Sequence, residues 1–212
     1  MFDWKEFHAL PVMGILRGVD EASLPGALEA SERAGLRFIE ITLNTANALQ
    51  LIRSIDRRRF KSLCVGAGTV LSLQDADSAV NSGAAFLVSP TLNEQVAAFC
   101  QDRKIPYFPG ALTPTEIERA WNAGASMIKV FPASQMGPDY FKMIKGPFQN
   151  IPLMAVGGVN FENSQRYLAA GASALALGGS IYSPERLRAK EFDKIENDIK
   201  AFLQPVSDFI SR

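Results

Sequence analysis

One pattern repeats along the whole chain: a short β-rich run, a longer amphipathic stretch, then another run. The runs are VMGILR (12–17), FIEITL (38–43), LCVGAGTV (63–70), FLVSP (86–90), PYFPG (106–110), MIKVFP (127–132), PLMAVGG (152–158) and ALALGG (174–179), which makes eight candidate strands. Between them, Leu24, Ala27, Leu28 and Ser31 fall at i, i+3, i+4 and i+7, and Ile117, Ala120 and Trp121 repeat the spacing, predicting helices with one apolar face. A recurring phrase closes helices along the chain: Arg33-Ala34-Gly35, Asn81-Ser82-Gly83, Asn122-Ala123-Gly124 and Ala169-Ala170-Gly171. Glycine takes the left-handed helix cap at least cost, and a strand follows within a few residues each time. An open doubly wound sheet uses similar units, but eight of them without a composition break or Gly/Ser linker predict a closed parallel (β/α)8 TIM barrel, a single α/β domain over residues 1–212. The segment 2–8 predicts a short helix plugging the barrel's N-terminal end. Phe192, Ile195, Ile199 and Phe202 predict an amphipathic C-terminal helix.

Composition narrows the chemistry. Lys plus Arg and Asp plus Glu are balanced at 22 each, so no net field recommends a nucleic-acid partner or an anionic membrane surface. Two cysteines, Cys64 and Cys100, are too few for a disulfide framework and read as core thiols. One histidine, His8, leaves too few soft ligands for zinc and reads as an ordinary side chain near the closed end. Arg57, Arg58 and Arg59 read as a solvated basic run at a helix end. The N-terminus MFDWKEFHAL carries acids among its apolar residues, unlike a signal peptide, and no stretch approaches the ~20 apolar residues of a membrane span. The expectation is a soluble, cytoplasmic protein that acts on a small molecule.

Barrels of this kind place their chemistry where strands run out into the following loops. Side chains alternate along a strand, so Lys129 and Phe131 share one face of MIKVFP, and Ile128 and Val130 the other. With the aliphatic pair against the helices, Lys129 points into the barrel. Burial there depresses an ammonium's pKa and leaves free amine, the form that attacks a carbonyl to give a Schiff base. The same parity sends Glu40 and Thr42 of FIEITL inward. A carboxylate beside such an amine can move the protons that make and break a carbinolamine; alternatively, the two form a buried ion pair serving stability alone. Arg17, at the end of the first run, either pairs with Glu40 or binds a substrate carboxylate through its bidentate guanidinium.

Glycine pairs follow the seventh and eighth runs, Gly157-Gly158 and Gly178-Gly179, the second preceding Ser180. Bare N–H groups, a hydroxyl and a nearby helix N-terminus predict a phosphate cradle there. In GAGTV, Gly66 and Gly68 let backbone approach a ligand and Thr69 offers a hydroxyl; the same glycines also suit a bulge at a barrel rim.

Together the phrases IEITLNT, GAGTVL, VSPTLN, PYFPGALTPTE, IKVFPAS, GPDYFKMIKGPF and VGGVN, in this order over roughly residues 10–182, resemble the bacterial 2-keto-3-deoxy-6-phosphogluconate (KDPG) and 2-keto-3-deoxy-6-phosphogalactonate (KDPGal) aldolases. The resemblance implies a class I aldolase without metal or cofactor, usually a homotrimer, cleaving a phosphorylated keto-deoxy sugar acid into pyruvate and glyceraldehyde 3-phosphate. It assigns Lys129 to the Schiff base and Glu40 to acid/base work. Thr69 and Phe131 match residues of the pyruvyl pocket, Pro90 lies on its rim, and Arg17 matches an arginine of many members. Gly157, Gly158, Gly179 and Ser180 match the phosphate cradle.

Two departures matter. Asn44 stands where gluconate-type members often carry arginine, which hands the carboxylate to Arg17. Ala155-Val156 stands where they commonly read Pro-Thr, and Val156 lacks the hydroxyl that would meet the substrate's C4 hydroxyl. Both features lean toward the galactonate branch. The rival readings are a non-covalent phosphosugar isomerase or epimerase on the same barrel and a catalytically inactive sugar-phosphate binder.

Overall fold

The computed structural model describes residues 2–211. Strands β1 (Val12–Leu16), β2 (Phe38–Thr42), β3 (Cys64–Gly68), β4 (Leu87–Val88), β5 (Tyr107–Phe108), β6 (Gly110–Ala111), β7 (Ile128–Val130), β8 (Leu153–Ala155) and β9 (Ala174–Leu177) form one sheet in the order β5-β4-β3-β2-β1-β9-β8-β7-β6. All its pairings are parallel. The two ends of that order, β5 and β6, are consecutive in the chain and separated only by Pro109. Proline has no N–H for a ladder, so the fifth predicted run is one strand cut in two. Its first half pairs with β4 and its second with β7. The N–H of Ser126 donates to Tyr107 O at 2.8 Å and that of Lys129 to Pro109 O at 2.9 Å, which stitches the seam. The result is the expected (β/α)8 barrel with an interrupted fifth strand.

Strand parity divides the interior into two layers. Ile39, Ile41, Val65, Ala67, Leu87, Ile128, Val130 and Leu153 pack outward against the helices. Met13, Phe38, Phe86, Val88, Phe108, Met127 and Met154 fill the barrel. The helix Trp4–Ala9, N-capped by the Asp3 carboxylate, delivers Phe2 and Phe7 into that inner layer. Their rings lie 4.7 Å and 4.9 Å from the ring of Phe38, so among the described residues aromatic packing closes the N-terminal end of the barrel.

The four repeated glycines, Gly35, Gly83, Gly124 and Gly171, hold φ from +89° to +98°, the left-handed caps their spacing predicts. The helix Phe192–Ile210 buries Ile195, Ile199, Phe202, Leu203 and Val206 and packs on the helix Leu24–Ala34. Burial holds both thiols protonated, Cys64 pushed up to about 11 and Cys100 to about 12. Trp121 departs from its predicted stripe: Ile117 and Ala120 are buried, but Trp121 lies one residue round the helix and remains partly exposed. The arginine run is more engaged than its composition suggests. Arg57 donates to the carbonyls of Ile52 at 3.3 Å and Gly83 at 3.1 Å, and Arg59 pairs with Glu29. No helix of the described residues is long and apolar enough to cross a membrane.

Candidate active site

Lys129 is the middle residue of β7, in register with Gly110 on one side and Met154 on the other. Its side chain is 6% exposed and reaches a cavity of about 320 Å³ at the C-terminal mouth of the barrel. Arg17, Thr69, Pro90, Phe131, Val156, Gly157, Gly158, Gly179 and Ser180 line the same cavity. Every cavity-lining residue singled out in the sequence is therefore brought to one place. Glu40 lies below them, 1% exposed, on the strand that pairs with both β1 and β3.

The electrostatics follow from burial. Desolvation pulls the Lys129 amine down from its ordinary value, Glu40 opposes that shift, and the like charge of Arg17 adds to it. Desolvation likewise pushes the Glu40 carboxyl up, against the pull of Lys129 and Arg17. Both groups are thus driven toward their neutral forms, and each restrains the other. Among the described residues, Glu40 Oε2 is buried without a hydrogen-bond partner, an uncommon state for a buried carboxyl oxygen. The Lys129 ammonium also lies 5.3 Å from the Phe131 ring centroid, a cation–π contact at the cavity wall.

Arg17 is exposed, follows β1 directly and lines the cavity; among the described residues it makes no ion pair with Glu40 within 4 Å, although its charge still acts on that carboxyl. Its backbone is held on one side, where the Gly18 N–H donates to Thr45 Oγ1 at 2.9 Å; Thr45 Oγ1 in turn lies 3.1 Å from the hydroxyl of Thr42. Asn44 borders the cavity as well. Thr69 takes φ +57°, a strained conformation for a β-branched residue, just after β3. Such strain is common where a side chain is aimed at a ligand.

Gly157 and Gly158 have φ of +93° and +75°, so the turn after β8 depends on residues without Cβ. A Cβ on Gly158 would also collide with Ser134. Among the described residues, the N–H groups of Gly157, Gly158, Gly179 and Ser180 donate to no protein acceptor. Four uncommitted donors on one cavity wall suit an anion. These four donors belong to loop backbone, and the helix that begins at Pro184 brings its first residue to the same cavity.

Ile15, Val159, Ala176, Tyr182 and Pro184 also line the cavity and were not singled out in the sequence. Parity along β1, where Met13 points inward, would have found Ile15. Tyr182 lies in a loop, where no periodicity marks direction, and Pro184 opens the short helix Pro184–Arg188. Among the described residues no group of His, Cys, Asp or Glu is arranged to hold a metal ion.

Comparison with known proteins agrees with this geometry. The family model described as "Aldolase: KDPG and KHG aldolase" matches residues 4–198. The 2-dehydro-3-deoxy-phosphogluconate aldolase of Pseudomonas aeruginosa is 36% identical over 85% of this chain and 80% of its own length. The 2-dehydro-3-deoxy-6-phosphogalactonate aldolase of Escherichia coli K12 is 31% identical over 93% and 97%. A solved Legionella pneumophila KDPG aldolase, with pyruvate captured at low pH as a covalent carbinolamine, superposes with a TM-score of 0.86 at 26% identity, covering 93% of this chain and 96% of that one. Barrel, buried amine and relatives together define a class I aldolase, a carbon–carbon lyase. Within that class, the chain belongs to the KDPG and KHG aldolase family.

Proposed function

We propose that the chain cleaves 2-keto-3-deoxy-6-phospho sugar acids to pyruvate and glyceraldehyde 3-phosphate, with Lys129 as the covalent residue and Glu40 as the proton carrier. The observation that carries this reading is the desolvated amine of Lys129 facing the cavity, electrostatically coupled to a carboxyl whose Oε2 has no partner. The neutral amine attacks the C2 ketone. Glu40, through a water, moves protons until the carbinolamine oxygen leaves as water and an iminium remains. Loss of the C4 hydroxyl proton then breaks the C3–C4 bond, whose electron pair passes to the iminium. Glyceraldehyde 3-phosphate departs, the enamine is protonated at C3, and hydrolysis releases pyruvate and free Lys129.

The remaining lining residues divide between the two ends of the substrate. Arg17 binds the carboxylate, Thr69, Pro90 and Phe131 shape the pyruvyl pocket, and the N–H groups of Gly157, Gly158, Gly179 and Ser180 hold the phosphate. Anchoring both ends orients the reacting bond. At C4 the reading favours the galactonate epimer, on Val156, which lines the cavity without offering a hydroxyl. Relatives named for each epimer match at similar identity, so rates measured side by side on the two epimers are the test.

The chain works as a cytoplasmic homotrimer in this reading. Exposed Leu71 and Phe131 support an assembly face: the Leu71 carbonyl accepts from Asn93, and Asn93, Leu92 and Phe131 border one shallow depression beside the active cavity. Light scattering should give three times the chain mass. For the chemistry, pyruvate with borohydride should leave a stable adduct on the peptide containing Lys129. An unmodified peptide under turnover conditions would overturn covalent catalysis in favour of a non-covalent isomerase.

A further inference from the structure

The loop that follows β9 is anchored well away from the cavity it borders. Tyr182 lines the cavity, yet it is 1% exposed and belongs to the layer between sheet and helices. Its ring edge packs over Gly14 of β1, where a Cβ would come within 3.3 Å of it. At the far end of the ring, the Tyr182 hydroxyl meets Ser31 Oγ at 2.6 Å, on the helix Leu24–Ala34.

Proton accounting fixes the direction of this bond. Ser31 has one hydroxyl proton, and its oxygen also lies 2.6 Å from the Ala27 carbonyl, which can only accept. Ser31 therefore donates to Ala27, and Tyr182 donates to Ser31. Burial pushes the Tyr182 phenol up, so it stays protonated as this direction requires. At the backbone end, the N–H groups of Ile181 and Tyr182 both donate to Gly178 O at 2.9 Å, closing a turn that contains Gly179 and Ser180. A second tie runs from Ser23 Oγ to Leu187 O at 3.0 Å, joining the same helix to the segment beyond the turn.

We propose that Tyr182, held by Ser31, is a positioning residue for the phosphate end of the substrate: its hydroxyl pegs the Gly178–Tyr182 turn and so sets the Gly179 and Ser180 N–H groups against those of Gly157 and Gly158. This rests on reading the glycine wall as the phosphate site. Ser31 has no part in the cavity lining, so an effect of Ser31 on phosphate recognition reaches the site through Tyr182.

The test compares Ser31→Ala, Tyr182→Phe and the double variant with the parent chain. KM for the phosphorylated substrate and Ki for inorganic phosphate should rise about three- to ten-fold in each, the scale of one buried hydrogen bond. The double variant should be no worse than either single one, because both remove the same bond. In Ser31→Ala, whose side chain does not line the cavity, the rate of pyruvate adduct formation at Lys129 should stay within about two-fold, since that step does not use the cradle. If phosphate inhibits the parent competitively but Ki is unchanged in Ser31→Ala and Tyr182→Phe, the peg is overturned while the cradle stands. Equal losses in adduct rate and phosphate affinity would also overturn it, as a general loosening of the barrel. If phosphate fails to compete even in the parent, the cradle itself is refuted and the peg falls with it.

Discussion

The Glu40 carboxyl packs against the bare Cα of Gly68: a Cβ placed there would lie 2.5 Å from its carboxyl carbon and 2.6 Å from Oε1. The two residues are diagonal neighbours on the inner face of β2 and β3, where Glu40 is in register with Gly66 and Thr42 with Gly68. The glycine of GAGTV thus makes room for the Glu40 carboxyl, the proposed proton carrier. Gly68→Ala is expected to displace the carboxyl and lower kcat about 10²-fold, the cost of a misplacement near 1 Å at a reacting group. A kcat within two-fold of the parent would show that the carboxyl position does not matter.

A buried amine kept for chemistry is a burden on the fold. Lys129→Met should lower kcat about 10⁴-fold or more and abolish borohydride trapping, while Tm rises by about 2–4 °C, roughly 1 kcal/mol in a chain this size. The sign follows from linkage. The amine's pKa is lowered in the folded state, so the unfolded chain binds its proton more tightly, and the parent's penalty is present at neutral pH. That penalty fades as pH rises from the folded pKa toward the ordinary 10.5, so the Tm gap between the two proteins should shrink over that window. Calorimetry across pH measures it directly.

Arg17, proposed to bind the substrate carboxylate, also acts on Lys129. Its positive charge helps to hold the amine below the ordinary lysine range. Adduct formation needs the neutral amine, so its rate should rise with pH and level off above the folded pKa of Lys129. In Arg17→Met, loss of the like charge should move that rise to higher pH, and loss of the guanidinium should raise KM for the keto acid about 10- to 100-fold. A pH profile that does not move would remove Arg17 from the electrostatics of the amine.

The closed end of the barrel should be separable from the chemistry. Phe7 is fully buried and touches Phe2, Phe38 and Phe108. Phe7→Ala is expected to cost about 3–5 kcal/mol, read as a lower urea midpoint, with kcat of the folded protein within about two-fold. A proportionate loss of kcat at full folding would mean that the plug shapes the active end.

Much of this protein is written in local pattern. The alternation of runs and amphipathic stretches, the four glycine caps and the parity of MIKVFP and FIEITL depend on neighbours a few residues apart, and their period is set by backbone geometry. That is why Lys129 and Glu40 could be directed inward from the sequence, and why the glycine turns could be placed at strand ends. Other features depend on what lies across the barrel. The fifth strand breaks at Pro109 because its two halves face different partners, β4 and β7. Thr69 takes a left-handed conformation, and Tyr182 reaches from the cavity wall to Ser31, 151 residues away in the chain. Strand order, burial and long-range hydrogen bonds exist only once the sheet has closed, so only the tertiary structure could decide them.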